Sequence, residues 1–381
     1  MELISLKYIQ DRGAAREWAL DELSFGKVNL LVGRNASGKS RALNVVKGFA
    51  ELVSGRTPFK YRDGQYEVVF SNGGKKIEYL LSYAENKIIK EVYRVDGKEM
   101  LDRGVGGQGK IFAEKANAMI EFQSPDNVLA VVNRRDSLQH SYFSPLYDWG
   151  QSVYYYAFGT LMGKNSLAIL AKEGAPKLDA HNWEQIIAIY KNGKADYGTA
   201  FESAVIADMG RIGYELEKIE LKRPAGISIE GAVLGELVGI AVKEKRLNDI
   251  TDQNDMSQGM FRALSILINL NYSQFASLAN CVLIDDIGEG LDFERSFSLI
   301  KLLREKSKAS NVQLVMTTND RFVMNAVPLE EWTLLDCRSG KIIISNYSNS
   351  KEKFDNFKFT GLNNFDFLAT GFLNDESQKH T

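Results

Sequence analysis

Apolar positions along the first hundred residues come in short strand-length runs, with one helical stretch among them. Residues 3–9 predict a strand, and Val28–Val32, apolar except for Asn29, predicts a second of the kind buried inside a sheet. The second runs directly into Gly33. Beyond Ser40, residues Leu43, Val46, Phe49 and Val53 recur on one helical face, so the order is strand, glycine-bearing loop, helix. Residues 66–70, 76–83, Lys87–Val95 and 98–101 then predict strands separated by Asn72-Gly73, Glu85-Asn86 and Asp96-Gly97. Asn-Gly and Asp-Gly supply the positive φ angles of tight hairpins, which makes this an antiparallel meander. Residues 104–109 are glycine-rich with no helical pattern after them and are expected to be a mobile connection.

The second half changes texture. Residues 144–158 hold Tyr147, Trp149, Tyr154, Tyr155, Tyr156 and Phe158 with almost no cations between them, which favours core packing over a base-stacking surface. Residues 161–247 are expected to be mainly helical, most clearly at 181–190 and 200–216, and no heptad pattern persists. A helix from 257 to about 275, a strand at Cys281–Asp285, a helix over 294–308 and a strand over 312–317 come next. Two short strands, 332–337 and 341–345, precede a tail in which Phe354, Phe357, Phe359, Phe365, Phe367 and Phe372 stand among polar residues. The tail is expected to fold back on the body. The resulting division is 1–158 for the first half of an α/β core, with the meander at about 60–112; 159–250 for an inserted helical lobe; 251–346 for the second half of the core; and 347–381 for the tail.

Composition narrows the class. With 381 residues, 44% hydrophobic and 25% charged, the chain can bury a sizeable core. A net charge of −2 exerts no global pull on nucleic acid or anionic membrane. No apolar run is long enough to span a bilayer and the first residues lack a secretion signal, so a cytoplasmic setting is expected. Cys281 and Cys337 sit in apolar runs and are expected to be buried free thiols. Three histidines, His140, His181 and His380, are too few for a Cys/His zinc site or for histidine-centred acid–base chemistry.

The chemistry lies in three motifs. Gly33-Arg34-Asn35-Ala36-Ser37-Gly38-Lys39-Ser40 fits GxxxxGK[ST], a loop whose glycines let successive backbone N–H groups face a β-phosphate. The helix after it, opening with Arg41, adds its positive end; Lys39 would reach the β- and γ-phosphates and Ser40 would ligate Mg²⁺. Val282-Leu283-Ile284-Asp285-Asp286 is an apolar strand ending in two carboxylates, Asp285 placed for Mg²⁺ and Asp286 for orienting and deprotonating a water. An ordinary strand ending in a polar turn and a two-metal nuclease cluster are the alternatives. In Met256-Ser257-Gln258-Gly259-Met260-Phe261-Arg262, Ser257 or Asp255 is by itself simply a helix N-cap.

Together GRNASGKS, SQGMFR, LIDDIGEGLD and VMTTND resemble ABC-type ATPases of the SMC–RecF branch, in particular the compact group with OLD-family and anti-phage-system ATPases. The resemblance implies ATP and Mg²⁺ as ligands, with Ser257, Gln258 and Gly259 as a signature that completes the site of a second subunit. It makes Gly290-Leu291-Asp292 a D-loop and asks for a Q-loop glutamine, Gln139 or else Gln123. Three positions depart from it. Ala36 replaces a glycine, a sterically mild change; Asp286 stands where glutamate is usual; and Asn319 stands where a histidine senses the γ-phosphate. An asparagine donates a hydrogen bond but carries no proton, so slow turnover is expected. The residues after Asn319 are too few for the nuclease that OLD-family ATPases carry there. A nucleotide-dependent homodimeric switch, controlling a separate nuclease or toxin in anti-phage defence, is therefore the leading expectation, with no membrane partner. The alternative is a RecF-like repair ATPase clamping DNA, with Arg134, Arg135, Lys218, Lys222, Arg223, Lys243, Lys245 and Arg246 as phosphate contacts. A P-loop kinase is a third reading and needs no signature.

Overall fold

The computed structural model describes residues 1–57, 62–162, 164–165, 167–171, 186–225, 235–278 and 281–372. It divides into two compact units, Met1–Val153 with Pro328–Thr381, and Tyr154–Val327. His181 and His380 lie outside the described residues, as does the first half of the helix expected at 181–190.

The first unit opens with β1 (Glu2–Gln10), β2 (Trp18–Ser24), β3 (Val28–Val32) and α1 (Lys39–Val53). The meander comes next as β4 (Asp63–Asn72), β5 (Lys75–Ala84), β6 (Lys87–Val95), β7 (Lys98–Arg103), β8 (Gln108–Ala113) and β9 (Ala118–Gln123), each antiparallel to the one before. Alternation decides its inner face: Ile77, Tyr79, Leu81 and Tyr83 of β5 are buried while the residues between them are less so. That face meets the apolar stripe of α1, where the Phe49 ring lies 5.3 Å from Tyr66 and 5.7 Å from Tyr79. The hairpins at Gly73, Asn86 and Asp96 take the positive φ expected of them. Residues 104–109 differ from expectation. They form a short 3₁₀ turn leading into β8, and a Cβ on Gly107 would stand 1.8 Å from the Ser124 carbonyl oxygen. Close backbone approach, and not mobility, explains that glycine. The short helices α2 (Ala130–Asn133) and α3 (Ser144–Gln151) complete this segment.

The second unit contains β10 (Val153–Ala157), β11 (Ala168–Ala171), α4 (Ile186–Arg211), β12 (Leu216–Lys222), β13 (Gly235–Glu244) and β14 (Ile250–Asp252). It continues with α5 (Gln258–Phe275), β15 (Cys281–Asp285), α6 (Phe293–Lys308), β16 (Gln313–Thr317) and α7 (Arg321–Ala326). β15 lies between β10 and β16 and runs parallel to β16. Among the described residues of 161–247, expected to be mainly helical, there are one helix, α4, broken at Gly198, and an antiparallel sheet in the order β11-β13-β12 with β14 beside β13. Residues 238–242 of β13 are buried without a break, Val238, Ile240, Ala241 and Val242 among them, as in a strand covered on both faces. A buried polar knot ties three helices: Lys306 of α6 pairs with Asp208 of α4 at 2.6 Å, and Asn271 of α5 donates to the same carboxylate at 2.7 Å.

The chain then returns to the first unit through β17 (Trp332–Arg338) and β18 (Lys341–Asn346), β17 parallel to β3 and β18 parallel to β2. The tail folds back as far as it is described, to residue 372, with Lys358 paired to Glu330. In α8 (Lys351–Lys358) and α9 (Asn364–Ala369), Phe354, Phe357 and Phe367 are buried in one aromatic cluster with Phe372, while Phe359 stays in solvent. Aromatic burial holds elsewhere too, at Trp149, Tyr154, Tyr156 and Phe158. Cys281 is buried, but Cys337 is exposed, because β17 leaves the core after Leu335.

Candidate functional site

β3 delivers the chain into the 33–40 loop, and steric constraints shape the loop itself. A Cβ on Gly33 would stand 2.4 Å from Ser37 Oγ and 2.5 Å from the Leu335 carbonyl oxygen, so only glycine fits. Gly38 has φ of 96° and caps α1 with no side-chain bond, leaving the first-turn amides of Lys39, Ser40 and Arg41 without an N-cap side chain. Ala36 has φ of 63°. The change from glycine is thus not mild: an L-residue in this region costs roughly 1–2 kcal/mol. Lys39 is buried, and its ammonium donates to the carbonyls of Gly33 at 2.9 Å and Arg34 at 3.1 Å, which bends the loop around it. Arg34, Asn35 and Ala36 form the exposed tip. Arg41 is occupied beside the loop: its guanidinium lies 4.1 Å over the Trp18 ring and donates to Gln10 Oε1 at 3.0 Å.

In the second unit the two carboxylates at the end of β15 are held by neighbours that sequence reading missed. The parallel register of β15 and β16 brings Thr317 beside Asp285, and its hydroxyl donates to Asp285 Oδ1 at 2.5 Å. The same hydroxyl accepts the Asp286 N–H at 2.9 Å. Tyr155 donates to the other oxygen, Asp285 Oδ2, at 3.3 Å. Burial, with the Asp285 charge beside it, pushes the Tyr155 phenol up, so it remains a donor. Asp286 adopts φ of 53°, and Asn319 Nδ2 donates to Asp286 Oδ1 at 3.1 Å. Two of the three positions that depart from the resemblance therefore touch each other. Thr317 was legible in principle, since it ends the strand paired with the acidic one; nothing near Tyr155 signals its role.

The signature segment is locked to the loop after Asp286. Ser257 caps α5, its hydroxyl accepting the Met260 N–H at 3.1 Å, so the capping role is real. Ser257 and Gln258 are exposed at the helix start. Gly259 is buried, and a Cβ there would lie 2.4 Å from the Gly290 carbonyl oxygen. Arg262, 3% exposed, donates to the carbonyls of Glu289 at 2.7 Å and Thr160 at 2.8 Å. Signature helix and 288–291 loop are thus packed and hydrogen-bonded to each other. Asp292 caps the next helix by accepting from Arg295 N–H at 2.9 Å.

Gln139 is turned to the β8–β9 hairpin, its Oε1 accepting the Lys115 N–H at 3.2 Å, while exposed Gln123 donates to the Gly106 carbonyl at 3.3 Å. Four of the eight basic candidates are paired with acids. Lys218 pairs with Glu220, Lys222 with Asp252, Lys245 with Glu215 and Arg246 with Glu244. Lys243 donates to the Leu247 carbonyl, Arg134 to that of Gln123, and Arg135 lies 3.8 Å over the Tyr147 ring. Arg223 comes directly after β12, in the same stretch.

No family model matches the sequence, and no curated protein matches it. Among solved structures the chain is similar to an Smc head bound to the C-winged helix domain of ScpA, at 13% identity over 92% of this chain and 100% of that one, with a TM-score of 0.55. The SMC head domain from Thermotoga maritima is similar at 15% identity, 91% and 99% coverage and a TM-score of 0.46. An Smc head with an extended coiled coil, bound to the C-terminal domain of ScpA derived from Pyrococcus furiosus, gives 11%, 93%, 100% and 0.46. The first likeness establishes the fold: the chain is α/β and has the ABC ATPase fold of SMC heads.

Proposed function

We propose that this chain is an ATP-binding, slowly hydrolysing ABC-type ATPase that acts as a nucleotide-dependent homodimeric switch for a separate effector protein. The observation that carries the reading is the clamped pair at the end of β15. Asp285 is oriented by Thr317 and Tyr155, and Asp286 by Asn319, on the fold in which an acidic strand end serves a P-loop. Lys39 and the amides of residues 33–41 bind the phosphates. Ser40 and Asp285 offer hard oxygen donors of the kind Mg²⁺ takes, and the ion supplies neutralisation of the β/γ charge. Asp286 orients the attacking water, and Asn319 holds that carboxylate by a hydrogen bond that cannot relay a proton. Ser257, Gln258 and Gly259 complete the nucleotide site of the second subunit.

An Smc head that binds a domain of another protein supports a separate partner for this chain as well. On the resemblance, that partner is a nuclease or toxin held in check in bacterial anti-phage defence, in the cytoplasm. Among the described residues no helix is long and apolar enough to cross a membrane. The acid-interleaved basic residues leave DNA clamping without a positive surface among them to recommend it.

Mass by light scattering tests the switch. Mg–ATP is expected to double the mass, more persistently in Asp286→Ala, and Ser257→Arg is expected to abolish the shift. Nucleotide turnover that survives intact in Ser257→Arg would leave Ser257 as a helix cap and nothing more.

A further inference from the structure

The meander ends at β9, which has no strand on its outer side among the described residues. Natural edge strands are guarded by lysine, proline, a bulge or a covering element. β9 has no lysine, proline or bulge: its one charge is Glu121 and its register with β8 is unbroken. Met119 and Ile120, on opposite faces, are 38% and 42% exposed.

Pairing parity tells which backbone groups are free. Ser124 donates its N–H to the Gly107 carbonyl at 3.0 Å, and the register continues from there as Gln123–Gln108 and Phe122–Gly109. Opposed pairs in an antiparallel ladder alternate between bonded and unbonded. Phe122, Ile120 and Ala118 therefore spend their backbone groups on β8, while those of Met119, Glu121 and Gln123 point outward. An independent contact agrees, since the Gln123 carbonyl accepts the Arg134 guanidinium at 2.6 Å. The open stretch is thus Met119 to Glu121, ended on one side by the 114–117 turn and on the other by Arg134.

We propose that this edge pairs antiparallel with the same edge of a second copy. A two-fold contact sets residue i opposite j and j opposite i, and outward groups must meet outward groups. Centring on Ile120 satisfies both: Met119 opposes Glu121 of the second copy, twice, and each such pair exchanges two hydrogen bonds. Ile120 then lies on its own counterpart, and Ala118 beside Phe122. Centring on Glu121 would oppose two carboxylates and meet the occupied Gln123 carbonyl; centring on Met119 would run into the turn. Charge agrees with the Ile120 register. Each Glu121 faces a methionine, with Lys110 of β8 as its partner in register behind it. Exposed Arg134, at one end of the ladder, comes beside the turn of the second copy, which begins at exposed Glu114. So short a ladder falls well below the roughly 1,200 Å² of a stable interface, so chains pair at about 0.1 mM and stay single in the micromolar range. The pairing needs no nucleotide and stands whatever the 33–40 loop binds. Beside a nucleotide-joined pair it gives each chain a second two-fold contact, through which dimers link into larger assemblies.

Light scattering of the full chain without nucleotide, from about 10 μM to about 1 mM, tests it. The mass is expected to climb towards twice that of one chain. Glu121→Pro removes an outward N–H and leaves the bonds to β8 alone, so the chain stays folded and the climb is expected to vanish. Cysteine cross-linking reads the register, with the exposed Cys337 replaced by serine. Ile120→Cys is expected to give a covalent dimer on oxidation, because unbonded pairs stand about 4.5 Å apart at Cα. Glu121→Cys is expected to stay single, its counterpart being about 9 Å away along the ladder. A mass that stays that of one chain at about 1 mM, association that survives in Glu121→Pro, or equal cross-linking of the two cysteine variants would each overturn the pairing. So would protection of the Met119 and Glu121 amides from hydrogen exchange in the dilute chain, which would mean that the chain covers its own edge.

Discussion

Asp286 and Asn319 read as two separate weakenings of a hydrolytic site until their contact is considered. At φ of 53°, position 286 favours a short side chain that can bond locally, and aspartate is among the residues that tolerate this region best. Its carboxylate then falls 3.1 Å from Asn319 Nδ2. A longer side chain at 286 would overshoot that partner, and a histidine at 319 would crowd the shorter one. The expected outcome is non-additive: Asp286→Glu and Asn319→His each leave turnover low or lower, while the double variant raises steady-state phosphate release about tenfold. A double variant no faster than the singles would remove the pair from the account of slow turnover. Ala36 makes a simpler test of backbone strain. Ala36→Gly relieves about 1–2 kcal/mol of left-handed strain against about 0.5–1 kcal/mol of added chain entropy, so the urea midpoint is expected to rise slightly at constant slope. Ala36→Val, β-branched at positive φ, is expected to destabilise the fold by more than about 1 kcal/mol and so lower the midpoint.

Among the elements, the meander carries a buried pair of charges. Glu91 on β6 and Arg103 on β7 are fully buried and 2.9 Å apart. Glu91 also accepts from the Tyr79 hydroxyl at 2.9 Å and the amides of Ala130 and Val131, while Arg103 donates to the Pro125 and Val128 carbonyls. The pair thus pins the 125–131 segment onto the sheet. Arg103→Met leaves a buried carboxylate uncompensated and is expected to cost about 3–5 kcal/mol in chemical denaturation. Glu91→Leu with Arg103→Met is expected to cost clearly less than the two single losses combined. None of this network is visible in the sequence, because partners 12 to 40 residues apart leave no local signature. Strands β4 to β7 are legible, since one face is buried and the residues alternate. β9 is not: nearly every residue on it is exposed, so an edge strand shows no period. β12 and β13 read as helix in the sequence because α4, broken at Gly198, blurs the contrast between the two periods. The phosphate loop and the acidic strand end are readable as motifs, whereas Tyr155 reaches Asp285 from 130 positions away.

For the molecule as a whole, the motifs are divided between its two compact units: the 33–40 loop in Met1–Val153 with Pro328–Thr381, the acidic strand end and signature in Tyr154–Val327. A ligand bound only by the folded protein stabilises it by about 2.7 kcal/mol at a hundred times its dissociation constant. Mg–ATP is therefore expected to raise the melting temperature by several degrees, with Lys39→Ala in one unit and Asp285→Ala in the other each removing most of the gain. Chelating the metal is expected to mimic Asp285→Ala in the wild type and to add little in that variant, because both act through the same carboxylate. Dimerisation adds a second dependence. If two subunits enclose the nucleotide, the Mg–ATP melt rises with protein concentration while the melt without nucleotide does not. A ligand shift independent of protein concentration in the wild type would confine the nucleotide to one chain. The signature residues Ser257 and Gly259 would then act only through their helix cap and their packing on Gly290.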